Sequence, residues 1–194
     1  MKRGRFIVIY GINNIGKSTQ AKLLVSAIQG AGKEAVYIKY PLYNMDPSRT
    51  LINKALRGGN PDKLMPRELQ IIFSLNRTQF APILESYLSS GINVVAEDYV
   101  GTSLAWGIVT GVDGSFLERL NSHLIKEDQA FLLDGMPFAN EEEKHVFEGN
   151  KELTTKARDV HRKLAADNNW QIVDASQSIE AVHSQILEKL EVKK

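Results

Sequence analysis

Ten residues near the start, Gly11-Ile12-Asn13-Asn14-Ile15-Gly16-Lys17-Ser18-Thr19-Gln20, constrain the fold more than any other stretch of this 194-residue chain. They spell G-x-x-x-x-G-K-S, follow the apolar run Phe6-Ile7-Val8-Ile9-Tyr10, and lead into a helix-like stretch over 17–29. A strand, a glycine-containing turn and a helix make an anion cradle: loop N–H groups converge on phosphate oxygens at the positive end of a helix dipole. In such a loop the lysine, here Lys17, brings a full charge to the β- and γ-phosphates, and the Ser18 hydroxyl is a magnesium ligand. The pattern predicts a nucleoside-triphosphate site formed by Asn13, Asn14, Ile15, Gly16, Lys17, Ser18 and Thr19.

Short apolar runs then alternate with helical patterns to the end of the chain. Strands are expected at 6–10, 35–39, 93–96, 130–134 and 171–173. Helices are expected at 17–29, 49–55, 67–89, within 102–125, and at 151–166 and 178–190. Uninterrupted apolar strands spaced by helices imply a parallel sheet covered on both faces. The expected fold class is therefore α/β, a three-layer arrangement with a five-stranded parallel sheet. A chain of this length forms one domain, or one domain with a lid. The lid is placed at about 136–150, where Glu141-Glu142-Glu143 sits in a polar stretch between a strand and a helix. A solvated loop fits that composition equally well.

Composition narrows the partners. A net charge of +1 announces no polyanion-binding surface, so a nucleotide is expected rather than a nucleic acid. The absence of cysteine removes disulfides, thiol catalysis and cysteine-ligated zinc, and fits a cytoplasmic protein. The apolar run at 6–10 is too short for a signal h-region of ~7–15 residues or a membrane helix of ~20. A soluble protein with no membrane partner is expected.

In open α/β sheets ligands lie beyond the carboxyl ends of the strands. The residues there are the phosphate loop, Tyr40-Pro41-Leu42-Tyr43, Glu97-Asp98-Tyr99, Asp134-Gly135 and Asp174-Ala175-Ser176-Gln177-Ser178. One edge of the sheet thus collects the unusual residues.

Four blocks in this order resemble the thymidylate kinase family. They are the phosphate loop, Phe73-Ser74-Leu75-Asn76-Arg77, the stretch from Glu97 through Tyr99 to Ala105, and the stretch from Asp174 to Val182. The second is similar to the family's F-S-x-N-R acceptor motif, the third to D-R-Y followed by S-x-x-A, and the fourth to the eukaryotic form. The resemblance implies a P-loop nucleoside-triphosphate hydrolase-like fold and transfer of the ATP γ-phosphate to dTMP, with magnesium, in a homodimer. It implies that Phe73 stacks on the pyrimidine and that Arg77, one turn later, hydrogen-bonds its edge. Tyr40 and Trp106 would wall the base pocket, with Tyr99 and Ser103 of the third block on the acceptor side. Ser176 and Gln177 would pass near the donor adenine. Ser18 with Glu97 would hold magnesium; a one-residue slip in the alignment would pass that place to Asp98.

The chain also departs from the family. Asp98 stands where the D-R-Y arginine is expected, Tyr43 where an arginine follows the second strand, and Asn13 where an acid meets the acceptor's 3′-hydroxyl. The family carries a catalytic basic residue in the loop or in the lid; here the loop has Asn14, and three glutamates occupy the lid. Phosphoryl transfer depends on cations placed around the phosphates, so these changes fall on the chemistry. Asp98 either turns away, binds magnesium, or makes the site poor for a monophosphate. Arg158, matching an arginine often found on the helix after the lid, is the candidate catalytic substitute, with Arg49, Lys144 and Lys151 as further sources of positive charge. Two other readings remain beside a dTMP kinase: a nucleotide-binding protein of this fold with little activity, and a kinase with a changed acceptor.

Overall fold

The computed structural model describes residues 2–138 and 151–190. Of the expected lid only Met136, Pro137 and Phe138 fall within them; the glutamate run and Lys144 lie outside the described residues. The described chain runs β1 (Phe6–Tyr10), α1 (Lys17–Gly30), β2 (Ala35–Lys39), α2 (Ser48–Leu56), α3 (Pro66–Ser89) and β3 (Asn93–Glu97). It continues with α4 (Val100–Val109), α5 (Gly114–Asn121), β4 (Gln129–Asp134), α6 (Lys151–Asp167), β5 (Gln171–Asp174) and α7 (Ile179–Lys189). The strands form one sheet in the order β2-β3-β1-β4-β5, and every neighbouring pair is parallel. The expected α/β fold is borne out.

β1 is central because all five of its residues are apolar and buried, as a strand covered on both faces requires. Successive side chains point to opposite faces, so β1 feeds two cores. Ile7 and Ile9 pack with Leu24 and Ile28 of α1 and Val182 and Ile186 of α7. Phe6, Val8 and Tyr10 pack with Phe80, Leu84 and Leu88 of α3. The single helical region expected within 102–125 is two helices. Gly111 at φ 87° ends the first, and the Asp113 carboxylate accepts the Phe116 N–H to start the second.

One buried polar group on α6 sets a pH response. His161 is fully buried; its Nδ1–H donates to the Ala157 carbonyl at 2.8 Å, and Nε2 has no partner among the described residues. Burial pushes its pKa down to about 4, against an unfolded value near 6.5. The fold holds the ring neutral while the unfolded chain takes up a proton below pH ~6.5, so this contribution is complete above that pH. It falls away as pH drops from 6.5 to 4, costing up to about 3 kcal/mol. His161→Leu is expected to flatten that decline in urea unfolding; parallel declines in both proteins would contradict it.

Candidate active site

The turn from β1 into α1 is shaped by backbone that side chains would obstruct. Gly11 has φ 147°, and a Cβ there would lie 2.8 Å from the Leu133 carbonyl oxygen. Gly16, at φ 90°, precedes α1 without any side-chain cap, so the first-turn N–H groups are left for a ligand. Ile15 packs its side chain into the core, so it offers the loop only its backbone. The Phe138 N–H donates to the Asn14 carbonyl at 2.8 Å and ties the loop to the segment after β4.

This cradle opens into a cavity of about 790 Å³ that runs along the carboxyl ends of the strands. Residues 13–19 form one end of its wall. From the turn after β2 come Tyr40 and Tyr43, from α3 Phe73 and Arg77, and from the end of β3 Glu97, Asp98 and Tyr99. Ser103 and Trp106 of α4 face it, as does Gln177. Phe73 is only half-buried and belongs to neither core cluster, so its ring is a wall of the cleft rather than core packing. Ser176 and Arg158 instead line a separate hollow with Asp134 and Met136. There Arg158 donates to both Asp134 oxygens, at 2.6 and 3.2 Å, and Arg162 adds a third contact at 3.2 Å. Arg49 pairs with Asp46 at 3.1 Å, and Lys151 is exposed at the first residue of α6.

Charge at the strand ends is organised by Lys17 and Glu97. Lys17 Nζ donates to the Gly11 and Ile12 carbonyls, each at 2.9 Å, and lies 3.6 Å from Asp98 Oδ1. Glu97 Oε2 accepts the Ser18 hydroxyl at 2.6 Å and the Tyr37 hydroxyl at 2.5 Å, while Oε1 faces Lys39 Nζ at 3.0 Å. Burial works to raise the Glu97 pKa, but Lys17, Lys39 and the two hydroxyls outweigh it and hold the carboxyl below its usual range. Asp98 goes the other way: burial raises it, with the Glu97 charge adding to that, against the pull of Lys17. Asp98 sits at φ 62° and accepts the Thr102 hydroxyl at 2.8 Å. It does not turn away; it faces the phosphate-loop lysine.

The acceptor end is built on α3. Arg77 is buried and donates to the Tyr99 carbonyl at 3.3 Å, Ser103 Oγ at 2.7 Å and Asn121 Oδ1 at 3.2 Å. Burial lowers its pKa to about 10, which leaves it charged at neutral pH. Its Nε–H has no partner among the described residues. Tyr40 packs against the Tyr99 ring with centroids 5.1 Å apart, closing the floor. Around β5, Asp174 holds the Ser176 and Gln177 turn through three hydrogen bonds, and Ser178 caps α7.

The Ser18–Glu97 pair offers hard oxygen donors at the loop, the chemistry magnesium takes. Among the described residues no three acidic, histidine or cysteine side chains converge, so a metal here would complete its shell with phosphate and water. Sequence reasoning passed over Tyr37 and Lys39, which fix Glu97, and Gln70, a cavity-lining residue whose buried Oε1 has no partner among the described residues. Lys39 had a signal: like Glu97, it is the last residue of a strand.

Among the described residues no helix is long and apolar enough to cross a membrane. The fold matches a solved thymidylate kinase from Candida albicans with a TM-score of 0.82, over 96% of this chain and 90% of that one, at 22% identity. In sequence, a probable thymidylate kinase of Thermococcus kodakarensis is 31% identical over 201 residues, covering 96% of this chain and 97% of its own. The human thymidylate kinase is 28% identical, with 95% of this chain and 89% of its own covered. The family model described as thymidylate kinase matches residues 9–186, which takes in the phosphate loop, the α3 wall and the ends of all five strands. The chain belongs to the thymidylate kinase family.

Proposed function

We propose that this phosphotransferase moves the γ-phosphoryl group of ATP to dTMP, giving ADP and dTDP. The observation that carries the reading is the cavity itself: an intact phosphate loop lies at one end of a continuous space that Phe73 and Arg77 also line. Donor phosphates would sit on the N–H groups of residues 13–19, with Lys17 leaving the Gly11 and Ile12 carbonyls to meet them. Magnesium, held by Ser18 and Glu97, would neutralise charge between the phosphates. Arg77 is a donor only, so the base it selects must present an acceptor, as a 4-carbonyl pyrimidine does. Phe73 and Trp106 would sandwich the ring, with Tyr40, Tyr43, Tyr99 and Ser103 shaping the pocket. An acceptor phosphate oxygen then attacks the γ-phosphorus in line while the β–γ bridging oxygen leaves with ADP. Asn13 lies where the acceptor sugar would pass, and Gln177 on the adenine side. Ser176 and Arg158 would act only from the neighbouring hollow, beside a lid at about 136–150 on a single domain. The family reading extends to a cytoplasmic homodimer.

A second reading, a nucleoside acceptor, is favoured by Asp98 next to Lys17 and by Tyr43 in place of a cation. ADP release with ATP and magnesium, measured against deoxynucleotides and nucleosides with Lys17→Ala as blank, separates the two. dTMP is expected to give the highest rate. Faster turnover of thymidine would select the second reading, and no activity above the blank would leave a binding protein.

A further inference from the structure

Among the described residues three cationic side chains line the cavity, Lys17, Lys39 and Arg77. Two are committed elsewhere. Lys17 is 5% exposed and bound within the donor loop, and Arg77 is 4% exposed and engaged at the base end. Lys39 is 50% exposed. It closes β2, in register with Glu97 of β3, and lines the cavity next to Tyr40, with its amine on the carboxylate that also takes the Ser18 hydroxyl of the donor loop. A monophosphate bound with its base at Phe73 and Arg77 must bring its phosphate to this junction to meet the donor in line. The two positions where the resemblance leads one to expect arginines hold Asp98 and Tyr43, neither of which carries a positive charge.

We infer that Lys39 is the cation that holds the acceptor phosphate. This rests on the dTMP kinase reading and adds the residue that supplies its missing charge. In the structure the Lys39 amine is parked on Glu97 Oε1 at 3.0 Å, while Oε2 is taken by Ser18 and Tyr37. With the Glu97 charge committed to a divalent cation, the lysine stem lets the ammonium turn to the acceptor. The four-carbon chain is flexible enough to do so, and half-exposure keeps the cost of the move low. Acceptor and donor are then coupled through one carboxylate: the charge that Ser18 and Glu97 place at the donor frees the charge for the acceptor.

The alternative is that the Lys39–Glu97 pair only supports the strand ends, as a half-exposed ion pair of small energetic weight. Calorimetric binding of dTMP and of thymidine distinguishes the two, with wild type, Lys39→Gln and Lys39→Arg each saturated with ADP and magnesium. The inference expects Lys39→Gln to weaken dTMP by about tenfold or more, the range for one charge-assisted hydrogen bond, and to leave thymidine unchanged. Lys39→Arg should keep most of the dTMP affinity. Equal losses for both ligands, or no loss for dTMP, overturn the inference while the acceptor reading stands. A wild-type protein that binds neither ligand overturns the acceptor reading itself.

Discussion

Lys17→Ala is expected to cut phosphoryl transfer by about two to three orders of magnitude and to lower stability at the same time, through two separable causes. The first is chemical. On the proposed donor site Lys17 would be the charge nearest the phosphates, and removing one pre-placed group of this kind costs about 10²–10³ in turnover. The second is structural. Lys17 satisfies two loop carbonyls and lies 3.6 Å from Asp98, a nearly buried carboxylate. Removing one partner of a buried pair leaves the other uncompensated, at a cost of about 3 kcal/mol. A second change separates these effects: Lys17→Ala with Asp98→Asn should regain much of the lost stability and none of the activity. Thermal melting and ADP release measure them. Recovery of turnover in the double variant would mean that Asp98, not the absence of Lys17, had blocked the site.

Arg77→Ala should have the next largest effect, concentrated on the acceptor. Its guanidinium answers the Tyr99 carbonyl, Ser103 and Asn121, so truncation strands three buried acceptors and costs about 3 kcal/mol of stability. If the Nε–H also reads the base, kcat/KM for dTMP falls by roughly a hundredfold or more, because a polar site loses its partner in the bound complex. The KM for ATP should change little, since Arg77 is bonded to the α4 and α5 side and not to the phosphate loop. Arg77→Lys keeps the charge without the planar fork and should recover stability better than dTMP turnover. Comparable losses for ATP and dTMP would place Arg77 in the scaffold alone.

The elements were legible because local pattern and burial agree. All five strands were placed; the central ones are the clearest, since a strand covered on both faces must be a continuous apolar run, as Phe6–Tyr10 is. The break between α4 and α5 was harder to read, because Gly111 and Asp113 are single-residue signals inside a helical pattern. At the site, the phosphate loop could be read from its spacing, because its geometry is local: seven residues and one helix end make the cradle. Phe73 and Arg77 could be placed on one helix face by their separation of four residues. What each touches could not, because that depends on α4 and α5.

Sequence alone therefore determined the sheet, the helices, the triphosphate cradle and the family, all of which follow from short-range periodicity and ordered motifs. Tertiary structure decided the charge relations. Glu97 and Lys39 are 58 positions apart and become neighbours only through the parallel register of β2 and β3. Asp98 meets Lys17 because a left-handed residue turns the chain at the end of β3. Arg158 matched a family position, yet its guanidinium goes to Asp134. Charges act through space over a few ångströms, and no spacing along the chain encodes which strand end will stand beside which.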